Sequence, residues 1–393
     1  MTQLASFCHD ITSSSPTILF ISFLWLWLTG SFFFDIVHYL LHQCSKSQHR
    51  SLRLVGQLHM VHHLYFNRRL QFNNRYRWHN ICVELPLELG CQLFGTWLGW
   101  LVAKNFGLTG PGYLSKQFFS LVLIVEIARE LIVAILDGRD SNHKTYSTVP
   151  KDPNWFMVGP EYHALHHVNP KAYISSAFYL FDWLFGTGYT LQSRRITLTG
   201  ASGAFGEAIK KELQHESVKC IQELEFGADW TYDSYDATIP TLANTDVLIL
   251  AHSSEWDDTT KTNSGSTAKL IELFRQHRQA GPGHKMLLPE VWYVGNDAEL
   301  HPSWGIPSLQ LFSHSKHVFP LSARALYNDS SILYRHIVVS AFSSSTGPAV
   351  ASAKWTARAA MWWIRRGAQY VPVTYTGLAY LYYLKLLSWL KKI

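Results

Sequence analysis

Residues 35–42 read DIVHYLLH, residues 59–63 read HMVHH and residues 161–167 read EYHALHH. They set His38 and His42 four apart. They also repeat an HxxHH cluster, first as His59, His62 and His63 and then as His163, His166 and His167. On a helix, positions i, i+3 and i+4 share one face, so each cluster aims two or three imidazoles at one point. Neutral imidazole is a borderline-soft nitrogen ligand suited to iron, zinc, copper or nickel. Ordinary core or surface histidines would account for one such cluster but not for three. Two more histidines flank these segments: His79 ahead of an apolar stretch, and His143 in NHKTYSTVP (142–150). Ten imidazoles are too many for one metal and divide naturally over two. Octahedral preference with open positions points to iron, whereas closed four-ligand sites point to zinc; spacing alone does not choose.

The surrounding composition leans towards a membrane protein. Of 393 residues, 47% are hydrophobic and only 16% charged, with 15 Trp and 19 Tyr to suit a membrane–water interface. The stretch Thr17–Phe34, TILFISFLWLWLTGSFFF, runs 18 residues without a charge, close to the roughly 20 that a spanning helix needs. Glu84–Val102 and Tyr113–Leu136 are two further candidate spans, interrupted by Glu84, Glu88, Glu126, Arg129 and Glu130. Ionisable groups inside a membrane are usually paired or functional, and Glu84 and Glu88 are placed to accept from ligating histidines. A short re-entrant segment near Tyr173–Phe185 is a fourth candidate. Three spans put every histidine cluster on one side. There, residues 43–79 carry Lys46, Arg50, Arg53, Arg68, Arg69, Arg75 and Arg77 and no acid. The positive-inside rule then predicts an integral membrane protein with its histidines facing the cytoplasm. The basic loop fits anionic lipid headgroups better than nucleic acid. Five cysteines without a CxxC pair predict no disulfide framework. The N-terminus lacks a basic region ahead of a short apolar core, so no signal peptide is expected.

HxxxH, HxxHH, a lone histidine before a span, the histidine of NHKTYSTVP and a final HxxHH together resemble the fatty acid hydroxylase/sterol desaturase superfamily. The segment AYISSAFYLFDWLFGTG (172–188) is similar to the one that follows that family's last cluster. The resemblance covers roughly residues 20–190. It implies an integral-membrane non-haem di-iron enzyme that acts on a lipid with O2 and an external electron donor protein. The implied ligand set is His38, His42, His59, His62, His63, His79, His143, His163, His166 and His167.

After Gly188 the pattern changes. RRITLTGASGAFGEAIKKEL (194–213) is a short apolar strand, a glycine turn and a helix. Gly200, Gly203 and Gly206 allow a tight turn and close approach of backbone N–H groups to a pyrophosphate. With Thr199 and Ser202 beside them, they form a candidate NAD or NADP site. Glu223, ending the next strand, is placed to bind a ribose 2′-OH and hints at NAD. Strands at 246–254, 286–295 and 335–342 alternate with helices at 266–280 and 316–327, which predicts a doubly wound parallel sheet. TGASGAFG with Asn263 and FSHSK (312–316) resembles the short-chain dehydrogenase/reductase family over residues 195–345. Lys316 stands at that family's lysine position, but Phe312 replaces its catalytic tyrosine and Gly295–Asn296 fall where its serine belongs.

The reading is an α-helical integral membrane histidine domain (1–190), an α/β Rossmann-like doubly wound domain (191–350) and a basic aromatic tail (351–393) lying on the membrane surface. The expected function is O2-dependent di-iron oxidation of a lipid, by hydroxylation or desaturation. The alternatives are deformylation of a fatty aldehyde, or a membrane scaffold with a structural metal.

Overall fold

The computed structural model describes residues 15–110, 113–152, 156–253, 264–281, 283–300, 319, 323–343, 349–375, 377 and 379–381. The chain divides into two compact units, residues 1–147 with 152–188, and residues 148–151 with 189–393.

The first unit is helical. Helix α1 (Pro16–Ser45) starts where the Ser15 hydroxyl accepts from the Ile18 N–H and Pro16 presets the first turn. It does not stop at Phe34, where the apolar run ends. It continues about three turns through Asp35, His38 and His42, because those polar side chains are buried rather than solvated. Helix α2 (Arg50–Tyr65) follows. A helical turn (Arg77–His79) and a π-helical turn (Asn80–Glu84) lead into α3 (Leu85–Asn105), and α4 (Lys116–Ile135) runs next. Two short helices complete the unit: α5 (Pro160–Val168) and α6 (Leu180–Phe185), the latter closed by left-handed Gly186. The expected re-entrant segment is thus a loop followed by α6. Helices α1 and α3 pack against each other through small residues. A Cβ at Gly99 would lie 2.1 Å from Thr29 Oγ1, and Trp25 Nε1 donates to the Gly99 carbonyl at 2.9 Å.

Helix α4 is apolar outside and acidic inside. Ile124, Ile127, Leu131 and Ile135 are exposed, whereas Glu126 and Glu130 are buried. Among the described helices, α1 alone is long and apolar enough to cross a membrane. The other two expected spans form helices, but Glu126, Arg129 and Glu130 make α4 too charged and Glu88 interrupts α3.

The second unit is a six-stranded parallel sheet. Its strands are β1 (Arg195–Thr199), β2 (Cys220–Leu224), β3 (Val247–Leu250), β4 (Glu290–Asn296), β5 (Leu333–Val339) and β8 (Tyr370–Val373), in the order β2-β1-β3-β4-β5-β8. Helices α7 (Ala204–Gln214), α8 (Ile239–Ala243) and α9 (Ser266–His277) alternate with the strands, as in a doubly wound Rossmann-like fold. A two-stranded ladder, β6 (Phe342–Ser343) with β7 (Ala351–Ser352), precedes α10 (Ala353–Arg365). Residues 353–373, read from sequence as the start of a separate tail, belong to this fold: β8 extends the sheet beside β5. The α10 face formed by Thr356, Ala357, Ala360, Met361 and Ile364 is buried. Tertiary burial, invisible in a basic aromatic stretch, decides this. Residues 382–393 lie outside the described residues.

Replacing Gly99 with Leu should lower stability by about 1–3 kcal/mol through overpacking. The check is the thermal midpoint of the purified full chain against wild type.

Candidate metal centre and nucleotide cleft

Nine of the ten expected histidines gather into two abutting groups. His38, His42, His59, His63 and His166 form one; His62, His143, His163 and His167 form the other. His79 joins neither. It is exposed at the end of the helical turn before α3, with Tyr76 as its ring neighbour, because that turn presents position 79 outwards.

The geometry of each group follows from ring separations. In the five-histidine group His42 neighbours all four others, at centroid separations of 4.8–5.0 Å. Those four close a ring His38–His59–His63–His166 with sides of 4.3, 5.1, 5.0 and 4.6 Å. This is a square pyramid with His42 at the apex. In the four-histidine group the sides His62–His143–His163–His167 are 5.0, 4.7, 4.8 and 5.0 Å. Its diagonals are longer, 5.7 Å for His62–His163 and 6.1 Å for His143–His167. A tetrahedral set would have six equal separations and a square one diagonals about 1.4 times its sides; this set lies midway between them.

The hydrogen bonds behind the rings determine which nitrogen faces inward. The Nδ1 of His38 lies 3.0 Å from the Ile174 carbonyl, that of His166 3.0 Å from the Ala172 carbonyl, and that of His167 3.1 Å from the Phe66 carbonyl. His59 Nδ1 meets Glu84 at 2.7 Å and His143 Nδ1 meets Asp140 at 2.6 Å. Each acceptor requires the proton on Nδ1, so Nε2 presents a lone pair. The Nε2 atoms of His38 and His166 nevertheless sit 3.1 Å apart, and the other inward contacts span 3.1–3.3 Å. His59 Nε2 is buried with no hydrogen-bond partner. Facing lone pairs repel unless a cation lies between them, so this donor set fits two metal ions. Burial, then the neighbouring imidazoles, pushes His62, His63 and His167 well below the ordinary histidine range. Burial takes His166 down to about 3 despite its bond to Ala172. Neutral imidazole is the ligating form. Five imidazoles in one group exceed what tetrahedral zinc takes and suit a six-coordinate ion with an open position.

A further layer holds the carbonyls in place. Asp182 accepts from the Ile174 and Ser175 N–H groups at 3.1 and 2.7 Å and from the Tyr162 hydroxyl at 2.5 Å. Asp35 accepts from the Ser176 N–H at 2.8 Å. The loop supporting His38 and His166 is thus clamped by two buried carboxylates, as outer-layer partners of metal ligands commonly are. Glu84 bonds His59 of the cluster as its sequence position allows, whereas Glu88 pairs with Arg129 instead. Asp140, three residues before His143, had a readable spacing that the sequence reading passed over. The backbone acceptors at Phe66, Ala172 and Ile174 have no sequence signal at all.

In the second unit, Gly200 follows β1 with φ +65°, and Gly203 is the N-cap of α7. A Cβ at Gly206 would lie 2.0 Å from the Gly200 carbonyl oxygen, so that position demands glycine, whereas one at Gly203 stays 3.3 Å away. The turn lies where the chain order reverses between β1 and β3, the position where doubly wound sheets bind ligands. Ser202 is exposed at this turn. Thr199 is buried, with its hydroxyl 2.7 Å from His252 Nδ1. Glu223, on β2, pairs with Lys210 on α7, and Glu225 is exposed one residue beyond the end of β2. Asn263, Phe312 and Lys316 lie outside the described residues.

No protein-family model matches the chain. A protein named monoglucosyldiacylglycerol epimerase, from Synechocystis sp., is 25% identical over 337 residues, covering 77% of this chain and 80% of that one. The match is longer than either unit and therefore draws on both. Among solved structures, a short-chain dehydrogenase from Burkholderia cenocepacia in complex with NADP aligns at 12% identity and TM-score 0.39, covering 51% of this chain and 95% of its own. One from Sphingobium yanoikuyae in complex with NADPH aligns at 14% identity and TM-score 0.38, covering 51% and 96%.

Glu84→Gln should weaken metal binding by about 10–100-fold, the usual effect of losing a carboxylate behind a ligating histidine. Metal retained during titration with a chelator reads this out, with circular dichroism checking that the helices persist. In the second unit, Gly206→Ala should lower the thermal midpoint more than Gly203→Ala, whose Cβ meets the Gly200 carbonyl at 3.3 Å instead of 2.0 Å.

Proposed function

We propose that the protein is a membrane-bound oxidoreductase that acts on a lipid, with two iron ions in the histidine unit and NAD or NADP in the Rossmann-like unit. The observation that carries this reading is that eight of the nine cluster histidines set Nε2 3.1–3.3 Å from another Nε2, while five of the nine hold Nδ1 against an acceptor that keeps the proton there. Iron held this way supplies reductive activation of O2 for attack on an unactivated C–H bond. The chain's own contribution is geometric. Carbonyls and carboxylates behind the rings hold each imidazole in orientation, and the square-pyramidal group leaves the side opposite His42 without a histidine.

The lipid and membrane parts rest on surface chemistry. Exposed apolar side chains cover α3 and α4, including Phe94, Trp97, Ile124, Leu131 and Ile135, while their acids turn inward. That inverted pattern suits a helix in hydrocarbon. Arg50, Arg53, Arg68, Arg69 and Arg75 are exposed or nearly so in the segment around α2, as anionic headgroups on the cytoplasmic side would require. The electrons come from an external carrier protein or from reduced nicotinamide. In the second unit, the glycine turn at 200–206 opens on the crevice where a dinucleotide pyrophosphate would rest.

A second reading is favoured by the Synechocystis relative, whose match draws on both units. On that reading the substrate is a glycolipid, and the nucleotide removes hydride from a sugar carbinol and returns it to the opposite face. The two readings differ in stoichiometry, since oxygenation consumes O2 and reducing equivalents and epimerisation consumes neither.

Purified full-length protein should contain about two irons per chain, the number its two donor sets accommodate. His166→Ala should lose metal from the five-histidine group and abolish product while still entering the membrane. Product with full metal content in that variant, or zinc in place of iron, would sink the di-iron reading. Lipid analysis under O2 and under argon separates a new alcohol, a shortened hydrocarbon and an inverted sugar.

A further inference from the structure

Beside the four-histidine group lies a set of charges that metal binding does not use. Glu88 on α3 and Glu130 on α4 share the Arg129 guanidinium, each 3.0 Å from its Nη2. The Arg129 side chain is half exposed, whereas that of Glu130 is only 6% exposed. Glu130 Oε1 has no hydrogen-bond partner, an arrangement that is costly unless the oxygen meets water or carries a proton. Against it lies a cavity of about 10 Å3, bordered by His62, His143, Asp140, Glu88, Arg129 and Glu130. That is close to the room one water needs, on the order of 10–15 Å3.

The charged and titratable groups around Glu130 come from every neighbouring element. Glu84 and Glu88 lie on the α3 side, Glu126 and Arg129 on α4, Asp140 and His143 on the loop after α4, and His62 on α2. Glu84 and Asp140 are engaged as acceptors by His59 and His143, which leaves one guanidinium, that of Arg129, between Glu88 and Glu130. Glu126, one turn before Glu130, shows the same pattern. Its Oε1 accepts from Thr96 at 2.8 Å, and its Oε2 is buried without a partner.

We propose that Glu130 relays protons from the Arg129–Glu88 surface, through one water in the adjoining cavity, to the four-histidine cluster. This rests on the oxygenase reading. Insertion of one oxygen atom follows RH + O2 + 2e− + 2H+ → ROH + H2O. The two electrons come from reduced nicotinamide or an electron-carrier protein, and the two protons end in the water formed. The ligating Nε2 atoms have no proton to give, and the Nδ1 proton of His143 is engaged by Asp140. A carboxyl group one water away supplies what they lack: its O–H donates to the cavity water, and it is reprotonated from the Glu88 side.

The test is Glu130→Gln in the full-length chain reconstituted in lipid nanodiscs. Glutamine keeps the volume and the bond to Arg129 but transfers no proton. Hydrogen/deuterium difference infrared spectra of metal-free protein should lose a protonated carboxylic-acid band present in wild type. With iron bound, the variant should keep its full metal content, form product about 100-fold more slowly and release more hydrogen peroxide. Glu130→Asp should recover part of the rate. An unchanged infrared band, a wild-type rate at full metal content, or loss of metal in the variant would each overturn the relay. Wild-type turnover without O2 consumption would instead overturn the oxygenase reading, and the infrared band decides the Glu130 carboxyl independently of it.

Discussion

The helical unit depends on one electrostatic constraint. Nine imidazoles, six of them buried, converge, and eight present Nε2 to another at little more than 3 Å, an arrangement that is repulsive without cations between the lone pairs. The two groups of rings come from three helices and one loop far apart in the sequence and are held against the repulsion by what lies behind them. The carbonyls of Phe66, Ala172 and Ile174, with Glu84 and Asp140, fix the proton on Nδ1 and the lone pair on Nε2. Asp182 and Asp35 in turn fix the loop that carries two of those carbonyls. Donor chemistry, tautomer and loop conformation are thus successive layers of one device.

The same constraint explains the inverted helices. A histidine cluster built from α1, α2, α5 and the loop after α4 draws polar groups inward. Helix α4 accordingly buries Glu126 and Glu130 while exposing isoleucine and leucine. In water this would be unfavourable on both faces. In hydrocarbon the outer face is at ease, and the inner acids find partners in Thr96, Gln92 and Arg129. Helix α3 meets α1 through glycines because the bulky residues there face outward.

The Rossmann-like unit is organised by its sheet. The order β2-β1-β3-β4-β5-β8 places a reversal of chain direction next to the glycine turn, and Gly206 is required by the close approach of the Gly200 carbonyl. Strand β8 and helix α10 complete the sheet from a stretch whose Trp and Arg content reads as a surface tail. Burial of one α10 face outweighs that composition.

Much of the chemistry was legible in the chain itself. HxxxH and HxxHH spacing is a local property, since helix periodicity alone puts those imidazoles on common faces. The alternation of apolar strands with helices after Gly188, and the glycine triplet between the first strand and helix, are local in the same sense. Only the tertiary structure decided how the histidines sort into five and four, because His62 and His63 are adjacent in sequence yet serve different groups. It also decided that His79 stays outside the two groups and that Glu223 pairs with Lys210. Partition among sites depends on side-chain direction and on long-range backbone acceptors. A carbonyl 136 positions away, such as Ile174 for His38, leaves no trace in residue type.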